Sequence, residues 1–143
     1  GLRAALIKHA HHDFDIDYPG KDSYELRKAG ASQVLVGSAH RWALVTERNT
    51  DDEPQLVEFL AQLDTQHSDI ILVEGFRDVQ FPKIEIHRET QTRDPFYLTD
   101  ANIIALVSDA PHEKSTSLSC FHSSEIDPLV QFIAHYRELA LKA

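Results

Sequence analysis

What most constrains this chain is a short apolar run that recurs and stops each time at a polar or acidic residue. Such runs cover Ala4 to Ile7 before Lys8, Val34 to Val36, Ala43 to Val45, Ile70 to Val73 before Glu74, and Ile103 to Val107 before Ser108-Asp109. They predict strands. Two of them, Ile70 to Val73 and Ile103 to Val107, are apolar without interruption, as suits strands of a parallel sheet covered on both faces. Lys83 to His87 alternates instead, so Ile84 and Ile86 are expected on one side and Lys83, Glu85 and His87 on the other, as on a half-exposed strand.

Helical patterns lie between these runs. The first covers about 22 to 29, with Asp22 or Ser23 placed to cap its start and Gly30 placed to end it. The second covers about 53 to 63, where Leu56, Phe59, Leu60 and Leu63 form a stripe at three-four spacing. The last begins at Asp127-Pro128, a cap and a first-turn proline, and carries Leu129, Phe132, Ile133, Tyr136 and Ala140 on one face. Alternating strands and helices argue for an α/β fold, a mostly parallel sheet with helices on both faces, in one domain spanning residues 1–143. In such folds ligands bind beyond the carboxyl ends of the strands, which nominates Lys8-His9, Glu74-Gly75 and Ser108-Asp109 as site candidates.

Composition narrows the partners. A formal charge of -9 argues against nucleic acid or an anionic membrane surface as the main partner, while leaving room for a local basic site that holds phosphates. Cys120 is the one cysteine, so no intrachain disulfide forms, and no run nears the ~20 apolar residues that span a bilayer. A reducing, cytoplasmic setting fits both. No signal-peptide pattern precedes Ala4, and Gly1 reads as a cut end with further sequence expected ahead of it.

The densest polar cluster runs from Lys8 to Ser23 and supports two sharp readings. On one, His9, His11 and Asp13 follow the His-x-His-x-Asp pattern of zinc ligands in metallo-β-lactamase-like hydrolases, although Phe14 stands where that family has a further His. On the other, the cluster is a loop after a parallel strand, with Lys8 offered to phosphate oxygens and nearby carboxylates helping to place magnesium. A solvated surface loop is the bland alternative for any single one of these residues. Glu74 leaves its strand as a carboxylate beside Gly75, which permits a close turn, and is the natural metal-linked acid. A carboxylate at Asp109 could accept both N1–H and the N2 amino group of guanine, although acids also begin loops for turn reasons. No G-x-x-x-x-G-K-[ST] or G-x-G-x-x-G element occurs, and the five glycines stand singly.

The stretch from Leu6 to Ala31, which includes Lys8-His9-Ala10-His11-His12-Asp13 and Asp17-Tyr18-Pro19-Gly20-Lys21-Asp22-Ser23, closely resembles the MobB family of molybdopterin-guanine dinucleotide biosynthesis adaptor proteins. The resemblance continues through Arg41-Trp42-Ala43-Leu44, Ile71-Leu72-Val73-Glu74-Gly75-Phe76 and Val107-Ser108-Asp109. It implies a P-loop NTPase-like fold, GTP with Mg2+ as ligand, a homodimer, and assistance to the guanylyltransferase that joins GMP to molybdopterin. GTP hydrolysis, if it occurs, would be slow and secondary. Members ordinarily carry a strand, a Walker A loop and its helix ahead of the strand matching Leu6-Ile7. Those elements are expected before Gly1, and residues 1–143 alone are expected to hold GTP weakly. Residue by residue, Glu74 matches the family's Walker-B-like acid, with Asp13 as a second metal candidate. Lys8 and His9 match the loop after the second strand, as phosphate-binding candidates, and Asp109 is the guanine candidate. His11, His12, Asp17, Lys21 and Asp22 are left for the pterin or a partner protein, and no residue is assigned a catalytic role.

Overall fold

The computed structural model describes residues 1–10, 14–110 and 117–142. Along the chain lie β1 (Ala4–Lys8), α1 (Asp22–Lys28), β2 (Gln33–Gly37), β3 (Trp42–Thr46), α2 (Leu56–Leu60), β4 (Ile70–Glu74), β5 (Lys83–His87), β6 (Ile103–Ser108), β7 (Ser119–His122) and α3 (Ile126–Ala140). Single 3-10 turns occupy Thr65–His67 and Phe96–Leu98. β1 pairs with β4, β2 with β3, and β5, β6 and β7 form a three-stranded sheet in that order. The chain divides into two compact units, one of residues 6–64 and 73–75, the other of residues 1–5, 65–72 and 76–143.

The first unit holds α1, the β2–β3 hairpin and α2. α1 starts at Asp22, as expected, but its cap falls one residue earlier than predicted: Lys21 takes the N-cap position without a side-chain bond. Glu25 reaches back instead, its carboxylate accepting the Gly20 N–H at 3.1 Å. The helix ends as expected at Gly30, whose φ of 109° continues the chain where a side chain would be strained. The Gly30 N–H bonds the Arg27 carbonyl and the Ala31 N–H the Leu26 carbonyl, the paired bonds of a Schellman cap. β2 and β3 are antiparallel, with Val34 opposite Val45 and Val36 opposite Ala43.

α2 is shorter than its apolar stripe suggests. Pro54 disfavours helical backbone at Glu53, and the helix begins only at Leu56. At the other end the Gln62 and Leu63 N–H groups bond carbonyls three residues back, so the last turn tightens and the helix stops.

The second unit is built on β6, flanked in parallel by β5 and β7. Ile103, Ala105, Leu106 and Val107 are buried, as their unbroken apolar run predicts. β4 departs from the same expectation: Leu72 is 42% exposed, and Leu6 on its partner β1 is 64% exposed. β5 also departs, because Glu85 is buried while Ile86 is exposed. Three polar bonds reverse the expected faces. The Glu85 carboxylate accepts the N–H groups of Phe96 and Tyr97 at 2.8 and 2.9 Å, and Lys83 Nζ donates to Asp100 at 2.7 Å. A buried carboxylate so bonded costs far less than a bare one. α3 begins at Ile126 with Glu125 as N-cap rather than Asp127, and Phe132 packs 5.5 Å from Phe121 of β7.

Candidate functional site

Two hydrogen bonds frame the β1–β4 pair: the Asp69 N–H donates to the Arg3 carbonyl at one end, and the His9 N–H donates to the Glu74 carbonyl, 2.9 Å away, at the other. Both strands therefore run in one direction, and their carboxyl ends bring Lys8, His9 and Glu74 together. Lys8 Nζ lies 3.1 and 3.0 Å from the two Glu74 carboxylate oxygens, and both side chains are 63% exposed. A pair so open to water contributes little to stability, so both charges remain available to a ligand.

The backbone beyond Glu74 is unusual. Gly75 has φ 98° and Phe76 φ 52°, two successive residues in left-handed conformations. A Cβ added at Gly75 would stand 2.7 Å from His9 Cβ, so glycine is required there both for conformation and for space. Strain of this kind persists only where the surroundings hold it, and it collects at ligand sites.

His9 is less open than its neighbour. Its side chain is 11% exposed, its ring meets Phe59 edge-on at 6.4 Å, and Nε2 lies 3.2 Å from a Glu53 carboxylate oxygen. It supports the turn from beneath Gly75, while Lys8 faces the solvent. Lys21 and Asp22 lie at the exposed start of α1, and the Asp17 carboxylate accepts the Tyr18 N–H at 2.9 Å. His11, His12 and Asp13 lie outside the described residues. Among the described residues no group of three His, Cys, Asp or Glu side chains stands ready to hold a metal ion. The hydrolase reading built on His9, His11 and Asp13 falls largely on residues outside that description, whereas magnesium bound by one carboxylate, water and phosphate asks only for a group like Glu74.

At the end of β6, Ser108 is buried, with its Oγ accepting the Ala110 N–H at 3.1 Å. Asp109 is exposed, and its Oδ1 accepts the Glu89 N–H at 2.8 Å. One oxygen of the guanine candidate thus closes a turn, leaving Oδ2 and the spare lone pair of Oδ1 for a ligand. Nearby in sequence, His87 Nδ1 and Gln91 Oε1 are buried without a hydrogen-bond partner. Neither is a site candidate from the sequence, because nothing in a lone His or Gln signals an unmet bond.

A pocket of about 160 Å³ lies elsewhere in the first unit, lined by Ile16, Asp17, Ser23 and Arg27 against Val34 and Val45. Arg27 is no free phosphate handle: its guanidinium bonds Asp15 at 2.6 Å and Glu47 at 2.9 Å. The Asp15 bond holds the Arg27 guanidinium above its usual range and the Asp15 carboxyl below its own. The pocket is a feature of the helix–hairpin junction, and the chemistry of the site stays with Lys8 and Glu74.

Against known proteins, residues 1–109 match the family model described as molybdopterin guanine dinucleotide synthesis protein B, MobB. The molybdopterin-guanine dinucleotide biosynthesis adapter protein of Escherichia coli strain K12 is 42% identical over 139 residues, covering 96% of this chain and 78% of that protein. The Haemophilus influenzae adapter protein is 35% identical, over 94% of this chain and 73% of its own length. The crystal structure of Bacillus subtilis MobB superposes with a TM-score of 0.70 at 26% identity, covering 96% of this chain and 80% of that one.

Proposed function

Because this chain belongs to the MobB family, we propose that it acts as an accessory protein in molybdenum cofactor biosynthesis, assisting the attachment of GMP to molybdopterin to form molybdopterin guanine dinucleotide. The observation that carries the reading is the exposed Lys8–Glu74 pair beside the Gly75-Phe76 turn, in a chain 42% identical to an adapter protein along nearly its whole length. In this reading the chain binds GTP with Mg2+, works as a homodimer in the cytoplasm, and engages the guanylyltransferase that performs the transfer.

Lys8 offers a compact cation to phosphate oxygens, and nucleotide binding draws its ammonium away from Glu74. Glu74, so released, would be the carboxylate that holds the metal. Bound magnesium supplies positive charge that offsets the phosphates. Gly75 lets the turn lie directly on His9, and His9 is kept in place by Glu53 and Phe59. Asp109 is assigned to the guanine edge. Asp13 serves as a further acid for the metal, and His11, His12, Asp17, Lys21 and Asp22 serve the pterin or the partner protein.

Calorimetric titration of GTP with and without magnesium tests this. Glu74→Ala is expected to abolish the magnesium dependence while changing stability by less than about 1 kcal/mol, because the pair it breaks is exposed. Lys8→Gln is expected to weaken GTP by about tenfold, the loss of one bond to a charged group. Magnesium dependence unchanged in Glu74→Ala would remove that residue from the site. Failure of the wild-type chain to raise the rate of GMP transfer by the guanylyltransferase would remove the accessory role.

A further inference from the structure

Phe96 is held more firmly than a half-exposed loop aromatic needs to be. Its N–H, with that of Tyr97, donates to the buried Glu85 carboxylate, and its carbonyl accepts the N–H groups of Thr99 and Asp100 at 2.9 and 2.8 Å. Over this fixed ring stand two guanidiniums, Arg93 with its Cζ 4.0 Å from the ring centroid and Arg77 at 5.0 Å. Two cations gathered on one ring repel each other, and the chain as a whole carries a charge of -9. Their local counter-charge is slight: Arg77 Nε lies 3.6 Å from an exposed Asp78 oxygen, and the ion pairs among the described residues include none with Arg93. A guanidinium whose face rests on an aromatic ring keeps its N–H edge free for in-plane bonds to oxygen, the fork that fits phosphate.

We propose that Arg77 and Arg93, both within 5.0 Å of the Phe96 ring centroid, bind a small organic phosphate or diphosphate at a site that uses neither Lys8 nor Glu74. The anion bridges the two forks, neutralises their mutual repulsion and displaces Asp78 from Arg77. Glu85 acts as a positioning residue, since it fixes the backbone that carries the ring. The site stands independently of the nucleotide reading above.

Inorganic pyrophosphate without magnesium is the probe, titrated calorimetrically against the full chain carrying Lys8→Gln, so that the other cation contributes nothing. Binding is expected, with Arg77→Gln and Arg93→Gln each weakening it by about tenfold, the loss of one charge-assisted bond. Phe96→Leu, which keeps bulk but removes the ring face, is expected to weaken it several-fold, and thermal unfolding verifies that each variant is folded. Arg93→Lys retains charge without the fork and is expected to recover only part of the loss. GDP and glycerol 3-phosphate then separate a nucleotide source of the phosphate from a non-nucleotide one, and sensitivity of either to the Arg substitutions supports the site. No pyrophosphate binding, binding indifferent to both Arg→Gln changes, or full recovery by Arg93→Lys overturns the proposal.

Discussion

Beyond β4 the chain turns through two left-handed residues, Gly75 and Phe76, and leaves Lys8 and Glu74 open to water; at the end of β6 it buries Ser108 and ties Asp109 to the Glu89 N–H. Both segments follow apolar strands, and the same rule about strand ends nominated both. The difference teaches that the carboxyl end of a strand is a location, and that local construction decides what it does. Where backbone strain is maintained and charges are left exposed, the fold gives up stability to keep groups available. Where the polar groups are spent on turn bonds, the segment mainly holds the structure together.

The sharpest way to break this contrast is Gly75→Ala. The new Cβ would stand 2.7 Å from His9 Cβ at φ 98°, so conformational strain and overpacking act together. A loss of about 3 kcal/mol is expected, read as a fall in the urea midpoint at unchanged slope. A change smaller than a third of that would mean the turn relaxes freely and the strain argument fails. The closed counterpart is Glu85→Ala, which leaves two N–H groups, those of Phe96 and Tyr97, without their acceptor. It is expected to cost about 2 kcal/mol, and hydrogen exchange at these two amides should quicken well beyond that at β6. Equal exchange in both proteins would show that Glu85 does not hold that segment.

Asp109 sits on the line between the two kinds of strand end, and a pair of substitutions separates them. Asn keeps an oxygen to accept the Glu89 N–H, so Asp109→Asn preserves the turn and isolates base recognition, whereas Asp109→Ala removes both. Asp109→Ala is expected to cost about 1 kcal/mol in stability. Asp109→Asn is expected to leave stability nearly unchanged and to move preference from GTP toward XTP, which offers a carbonyl where guanine has its amino group. Equal loss for both nucleotides would reduce Asp109 to its turn bond.

How far the sequence could be read follows the same physics. Apolar runs located β1, β4 and β6, but only in β6 does the unbroken run coincide with nearly continuous burial; β1 and β4 form where expected while Leu6 and Leu72 stay exposed. The Gly30 terminus was legible since few residues other than glycine fit that cap. Lys8 and Glu74 were each nominated as strand ends, but their pairing shows only in the structure, where adjacent strands bring them into contact. By contrast, β7 has too short an apolar run to announce itself, and the burial of Glu85 against Ile86 depended on acceptors and donors eleven and twelve residues apart. The left-handed Phe76 and the Arg77–Phe96–Arg93 cluster likewise arise from tertiary placement, which no local pattern records.

The smallest expected effect concerns the amino end of the same β5–β6 pair, where charge is spent on structure as it is beyond β6. Asp100 bonds Lys83 Nζ and also accepts the N–H and side-chain amide of Asn102. The Lys83 bond first, and the Asn102 bonds after it, lower the Asp100 carboxyl from 3.8 to about 2. A carboxyl depressed in the folded state stabilises fully above its unfolded value, and the contribution is lost as pH falls through the folded one. Asp69 is held below the usual range in the same sense, chiefly by its Arg3 bond. Stability measured by urea unfolding should therefore hold between pH 6 and roughly 4 as far as these two groups are concerned, then fall toward pH 2. In Asp100→Asn that acid limb should be shallower, because the neutral amide no longer gains a proton on unfolding. An acid limb equally steep in Asp100→Asn would mean that this pair gives the closed end no pH-dependent stability, and that its charges are as open to water as those beside Gly75.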